Sequence, residues 1–371
     1  MNDKFGIYIH IPFCVRKCNY CDFCSGNYSD EIKEKYVDRL IEEIKDRLSL
    51  RRVSVDSIFI GGGTPSILES RELGRILECL YTYIDLEADS EISIECNPGT
   101  VNVDKLKDYK SFGINRLSFG LQSAVDEELK VLGRIHTYKE FEESFRLARQ
   151  VGFDNINVDL MSAIPKQNKE TFIYSLEKVK DLNPEHISVY SLIIEEGTPF
   201  YDMELDLVDE DEEREMVSLT AQVLLPEFNQ YEISNYSKAG YECKHNIKYW
   251  TRKPYLGFGI AAASLDGDIR YKNTLDINKY IQSKSYIYDE YENLSLNDQI
   301  SEYIFLGLRM NKGINVEEFK LLFKTDIFDI FKNVLNKHIE SGLLIYENEF
   351  LYLSDKGRDL CNYVCSDFII D

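Results

Sequence analysis

Four cysteines crowd into one short loop, Cys14-Val-Arg-Lys-Cys18-Asn-Tyr-Cys21-Asp-Phe-Cys24. Thiolates this close in sequence, on a loop leaving a strand, can converge on one soft metal centre, either zinc or an iron–sulfur cluster. A structural zinc ion asks for four ligands from a hairpin or knuckle. The C-x3-C-x2-C spacing of Cys14, Cys18 and Cys21 instead suits three corners of a cuboidal cluster, with one iron left open. Cys24 is either a spare ligand or a small loop residue, and the trio is complete without it. The chain holds nine cysteines, an odd number. In a reducing compartment such crowding means metal or redox chemistry more often than disulfides.

Other polar residues stand where strands are expected to end. Gly61-Gly62-Gly63-Thr64-Pro65-Ser66 follows the run Val55–Ile60, and a glycine run there lets the backbone approach a ligand closely or simply turn tightly. Glu95 closes Ser-Ile-Glu-Cys-Asn-Pro, Gln122 follows Ser-Phe-Gly-Leu-Gln, Arg134 sits in Leu-Gly-Arg, and Asp159 ends Asn-Val-Asp-Leu-Met. Each reads as a site residue at a strand's C-terminal end or, equally, as a cap or buried ion pair.

The elements that must position them alternate regularly over the first 235 residues. Strand-like runs are Phe5–Ile11, Val55–Ile60, Glu91–Cys96, Ile114–Phe119, Ile156–Met161 and His186–Ile194. Helical patterns between them are Asp30–Leu50, Glu69–Tyr83, Val103–Phe112, Thr137–Val151, Lys169–Leu182 and Asp209–Phe228. The strands read as continuously apolar, which fits parallel strands buried on both faces. Six β–α units predict an α/β fold, either a doubly wound sheet or an open (βα)6 barrel, with its working face at the strands' C-terminal ends. Residues 1–235 form this barrel unit, 236–295 a connecting segment rich in Tyr, Gly and Asn, and 296–371 a smaller module. That module reads as three helices, Gln299–Met310, Asn315–Phe323 and Phe328–Ser341, then a hairpin of Leu344–Tyr346 and Phe350–Leu353 and a last helix from about Asp355, a winged-helix-like α+β layout.

Charge excludes several functions. Lys+Arg is 43 against Asp+Glu 65, a net of −22. Such a surface repels phosphate backbones and anionic lipid, so no general nucleic-acid binding is expected. The winged-helix-like module, with 8 Lys+Arg and 13 Asp+Glu over residues 295–371, is no exception and reads as structural or partner-binding. Nine acidic residues and one Arg between Asp202 and Glu215 read as a loop entering the acidic first turn of a helix, not a cation site. No apolar run approaches the roughly 20 residues of a membrane span. Met1-Asn-Asp-Lys before Phe5–Phe13 does not read as a secretory leader, and the expected location is cytoplasmic.

The cysteine spacing, with Tyr20 before the third cysteine, resembles the radical S-adenosylmethionine superfamily. The resemblance implies a [4Fe–4S] cluster on Cys14, Cys18 and Cys21, S-adenosylmethionine on its open iron, and a partial (βα)6 barrel. Within the superfamily the chain resembles the oxygen-independent coproporphyrinogen III oxidase-like branch. The likeness runs through Tyr8–Cys14, Gly61–Ser66, Glu95–Pro98, Arg116–Gln122, Leu132–His136, Tyr231–Tyr236, His245–Trp250 and Leu353–Leu360. It implies that Tyr8, Tyr20, Gly62, Gly63, Thr64, Glu95, Gln122, Arg134 and Asp159 hold the nucleotide.

The branch contains oxygen-independent coproporphyrinogen III dehydrogenases, which decarboxylate by radical chemistry in haem biosynthesis, and haem chaperones. Three features favour the chaperones. The cysteine motif begins at position 14, so the dehydrogenases' N-terminal extension is expected to be absent. Cys24 lies three residues after Cys21, whereas the dehydrogenases place theirs two after. His245-Asn-Ile-Lys-Tyr-Trp250 is similar to the chaperones' haem signature, which implies His245 as a ligand of haem iron. Expected partners are therefore haem and haem-acceptor proteins, with a homodimer allowed. The chain departs from the branch in two places. Met161-Ser-Ala-Ile-Pro-Lys-Gln167 stands where the branch typically has a Gly-Leu-Pro-Gly run, and Ile260-Ala-Ala-Ala-Ser264 where it usually has a Gly-Ala-His-Ser segment, so a histidine is absent there. The other cysteines, among them Cys361 and Cys365 on one helix face, read as packing residues.

Overall fold

Six parallel strands joined by helices can wind in one direction or reverse at a switch point, and strand order decides which. The computed structural model describes residues 4–370. Its strands are β1 (Phe5–Ile11), β2 (Val53–Gly62), β3 (Ile84–Cys96), β4 (Arg116–Gln122), β5 (Ile156–Ser162) and β6 (His186–Ser191). They lie side by side in sequence order and pair in parallel throughout. Right-handed crossovers without a reversal put every helix on one face, so the sheet curls into a half-barrel. The helices are α1 (Asp30–Leu48), α2 (Ser70–Tyr83), α3 (Val103–Ser111), α4 (Asp126–Val131), α5 (Tyr138–Val151), α6 (Lys169–Asp181) and α7 (Glu210–Leu224).

Local chemistry sets their ends. Ser29 accepts the N–H of Ile32 to start α1, Thr137 and Glu140 form a capping box on α5, and Gly152 ends α5 at φ 95°. The acidic run enters α7 behind Asp209, which accepts the Asp211 N–H, so its carboxylates sit in a solvated first turn.

The strands are buried on both faces, but their residues alternate, contrary to the continuous apolar reading. β4 runs Arg116-Leu-Ser118-Phe, β5 Asn157-Val-Asp159-Leu and β6 His186-Ile-Ser188-Val. Leu117, Phe119, Val158, Leu160 and Ile187 join the core under the helices. Their polar neighbours turn to the concave face, where Arg116, Ser118, Asn157, Asp159 and Ser188 line a cavity.

Residues 236–295, expected as a connecting segment, contribute strands to the same sheet. After β7 (Asn229–Gln230) and β8 (Asn235–Ser237) come α8 (Lys244–Trp250), β9 (Tyr255–Phe258), β10 (Ala263–Asp266), β11 (Ile269–Asn273), α9 (Ile277–Gln282) and β12 (Tyr288–Asn293). The sheet has twelve strands in the order β12-β11-β10-β9-β1-β2-β3-β4-β5-β6-β8-β7, with β9 parallel to β1.

A second core, from Ile300 to Phe368, belongs to α10 (Leu296–Gly307), β13 (Ile314–Asn315), α11 (Val316–Phe323), α12 (Ile327–Ile330), α13 (Lys332–Glu340), β14 (Leu344–Glu347), β15 (Phe350–Leu353), α14 (Asp355–Asp359) and α15 (Cys361–Ser366). Its β13-β15-β14 sheet and helices are the expected winged layout, and Cys361 and Cys365 lie side by side in that core, sulfurs 3.7 Å apart. Among the described residues no helix is long and apolar enough to cross a membrane. Met1–Asp3, part of the leader reading, lie outside the described residues.

Both departures from the family pattern fall on strained backbone. Ala163 (φ 59°), Lys166 (φ 69°) and Ala261 (φ 58°) occupy the left-handed region that glycine adopts freely.

Candidate functional site

The cysteine loop connects β1 to α1 and is closed at its neck by Cys14 N–H to Gly26 O and Gly26 N–H to Pro12 O, both 2.9 Å. Asn19 pins its middle to the end of α4, its backbone N–H on Leu132 O and its side chain on Val131 O, each 2.9 Å. Gly133 (φ 75°) permits this approach, since a Cβ there would stand 2.9 Å from the Asn19 side chain.

The thiols of Cys14, Cys18 and Cys21 are part-buried. Burial pushes the Cys21 thiol up, and the neighbouring sulfurs of Cys18 and Cys14 add to that. Donors reach the other two sulfurs: Thr64 Oγ1 lies 3.6 Å from Cys14 Sγ and Arg134 Nη1 3.6 Å from Cys18 Sγ. Asn97 joins those donors. Its Nδ2 donates to Thr64 Oγ1 at 2.8 Å, and its Oδ1 accepts from Arg134 Nη2 at 2.9 Å. Cys24 points elsewhere, donating to Leu275 O at 3.5 Å.

Among the described residues, no three His, Cys, Asp or Glu side chains close on a single-ion site. Three thiols, two of them with hydrogen-bond donors aimed at them, and no fourth ligand fit a multi-iron cluster better than a four-coordinate zinc ion.

Gly62 and Gly63 serve this packing directly. A Cβ on Gly62 (φ 116°) would stand 2.7 Å from the His10 ring, and one on Gly63 would meet Phe13 O at 2.8 Å and Cys14 Sγ at 3.0 Å. His10 holds the loop: its ring bonds the Tyr8 hydroxyl and the Cys24 carbonyl, both at 2.9 Å.

Beside the loop opens a cavity of about 500 Å3, lined by Tyr8, Tyr20, Glu95, Gln122 and Asp159 together with Cys21. Thr64 and Arg134 stand on the far side of the loop, by Cys18. Glu95 accepts the Gly62 N–H at 3.0 Å. Burial, then the nearby Asp159, push its carboxyl up to about 8. Burial likewise raises Asp159, against bonds from Asn157 at 2.8 Å and Ser118 at 3.4 Å. Two carboxyls held out of water gain from a cationic ligand, which restores their ionised form. S-adenosylmethionine, with a sulfonium and an ammonium, has that chemistry.

Motif reading named no site residue in the deeper cavity wall, although Arg116 and Ser118 fell inside a recognised run. Arg116, Ser118, Asn157 and Ser188 line it. The period-2 placement of polar residues in β4–β6 was the signal that could have found them.

His245 lies on α8 at the floor of this cavity, 1% exposed. Its ring stacks on Phe59 with centroids 5.4 Å apart. Nδ1 pairs with Ser57 Oγ at 3.0 Å and Nε2 with Tyr249 OH at 2.8 Å, so both ring nitrogens are engaged. Burial, then Lys248 and Arg116, lower its pKa to about 3, and the imidazole is neutral. Ala263, in the segment where the resemblance leads one to expect a histidine, lies in β10.

A model of the radical SAM superfamily matches residues 8–179, and one of the HemN C-terminal domain matches residues 294–360. The chain is 35% identical to the heme chaperone HemW of Bacillus subtilis over 98% of both chains. It is 33% identical to the heme chaperone HemW of Escherichia coli, over 99% of this chain and 98% of that one. Its fold matches the radical SAM coproporphyrinogen III oxidase HemN of Escherichia coli with a TM-score of 0.86, at 24% identity, over 99% of this chain and 90% of the other.

Proposed function

The chain belongs to the heme chaperone HemW family within the radical SAM superfamily, and from that premise we propose that it binds haem and delivers it to acceptor proteins. The observation that carries this reading is likeness to heme chaperones along the whole chain, both cores included. The cytoplasm, where thiols stay reduced, is the location that suits a cluster-bearing loop.

The family implies a [4Fe–4S] cluster and S-adenosylmethionine. In this reading Cys14, Cys18 and Cys21 hold the cluster, which when bound supplies a redox-active iron with an open coordination position. Thr64 and Arg134 donate to the ligand sulfurs and are held by Asn97. Tyr8, Tyr20, Gln122, Glu95 and Asp159 take the nucleotide, the two carboxyls facing its cationic end. Gly62 and Gly63 keep the β2 turn against the loop.

His245 is the residue proposed to ligate haem iron. Iron ligation requires Nε2 to exchange its Tyr249 partner, so Tyr249 guards the ligand in the haem-free protein. The coproporphyrinogen III oxidase shares the fold, and its reaction is the alternative the test must exclude. Protein purified without oxygen and quantified for iron and sulfide is assayed in parallel for haem binding and for coproporphyrinogen decarboxylation. Stable haem binding without decarboxylation is expected. Robust decarboxylation overturns the chaperone reading.

A further inference from the structure

At the opposite end of the sheet from the cysteine loop lies a second cavity, of about 750 Å3. It is bounded by the starts of β1 and β2, the turn after α8, and helices α10 and α11. Its size falls within the range of small-molecule sites. Phe5, Leu296, Tyr303, Leu322 and Phe323 supply an apolar body. Around it stand Arg51, Arg52, Arg252 and Lys253, against only Asp266 and Asp268.

Arg252 is the decisive residue. Its side chain is 9% exposed, and it holds one carboxylate oxygen of Glu302, Nε to Oε2 at 3.0 Å. The other oxygen of Glu302 is taken by Arg270. Nη2 of Arg252 is buried with no hydrogen-bond partner. Leaving such a donor unpaired costs about 1–3 kcal/mol, more for a charged group. The backbone is strained at the same residue, with φ 50°. Arg51 pairs with Asp266, Arg52 with Asp85 and Lys253 with Glu318 through half-exposed ion pairs, which exchange partners at little cost.

We infer that this cleft is a seat for a carboxylate-bearing planar tetrapyrrole, its apolar face on Phe5, Tyr303 and Phe323 and its carboxylates on Arg252 and the neighbouring cations. The inference rests on the haem reading above and assigns it a recognition site separate from His245. Cations give a carboxylate directional, charge-assisted hydrogen bonds, while the ring needs only apolar area.

Iron-free protoporphyrin IX tests it, because that ring keeps both carboxylates but takes no axial ligand. Binding to the anaerobically reconstituted full chain is read by quenching of Trp250, the single tryptophan. Arg252→Gln should weaken protoporphyrin binding about tenfold. Leu322→Glu should do the same by placing a like charge at the mouth, and as Leu322 is 51% exposed this variant keeps the test valid if Arg252→Gln does not fold. The dimethyl ester of the porphyrin, which lacks the charges, should be indifferent to Arg252→Gln. Equal competition by oleate overturns the assignment to a tetrapyrrole. Haemin binding to the wild type, with unchanged protoporphyrin affinity in both variants, overturns this seat and leaves the chaperone reading standing. No binding of either ring to the wild type overturns both.

Discussion

Glu95 accepts the backbone N–H of Gly62 at 3.0 Å, tying the end of β3 to the glycine turn after β2. That bond aims a buried carboxyl at the cavity and braces the turn against which Cys14 packs. The cavity and the cysteine loop are thereby one mechanical unit.

The ligand trio gives the first prediction. Alanine at Cys14, Cys18 or Cys21 should remove bound iron and sulfide after anaerobic reconstitution, while Cys24→Ser should retain both, because the Cys24 thiol bonds Leu275 O instead. Equal loss in all four variants would show four ligands.

Asn97→Ala should leave the fold intact and loosen the cluster. Arg134 and Thr64 lose the side chain that orients both of them toward sulfur. Loss of an orienting partner of this kind costs about 10–100-fold in metal affinity. The check is the rate of iron loss to a chelator, compared with circular dichroism of the same sample.

Glu95 sets a pH dependence. Its folded pKa of about 8 lies above the ordinary carboxyl value, so the folded state holds the extra proton between roughly pH 4.5 and 8. The stability this proton confers is complete below about pH 4.5 and is lost as pH rises through about 8. Ligand-free Glu95→Gln, permanently neutral, should therefore flatten the decline and gain a few kcal/mol over wild type above pH 8, on the order of the pKa shift. Denaturant midpoints from pH 5 to 9 provide the measurement. Parallel profiles for the two proteins would remove Glu95 as the cause.

Ala163 and Lys166 occupy left-handed backbone where side chains are strained. Glycine at either site should raise stability by about 1 kcal/mol, the strain relieved being partly offset by a more flexible unfolded chain. Thermal unfolding should show a rise of a degree or two, additive in the double variant.

Tyr249→Phe keeps the ring against His245 but removes the hydroxyl that occupies Nε2. Haem iron should then be ligated severalfold more tightly, by roughly the worth of one hydrogen bond. His245→Ala should shift the haem absorption spectrum or weaken binding. Unchanged spectra in both variants would refute His245 as the ligand.

The six β–α units, the cysteine spacing and the winged module were legible in the residues alone, because each depends on neighbours a few positions apart. The same local signals left the sheet's direction of winding open, and strand order settled it. Asn97 stood inside a recognised run, but its role depends on Thr64 and Arg134 arriving from two other loops. His245 was visible as a motif, but its enclosure by Ser57 and Tyr249 follows from how α8 packs across the floor of the half-barrel. The basic cleft around Arg252 combines segments from positions 5 to 323, and no window of sequence contains it. Spacing along the chain determined which chemistry the loop can hold. Only the register of the twelve-stranded sheet, set by packing between residues hundreds of positions apart, decided which polar side chains meet around it.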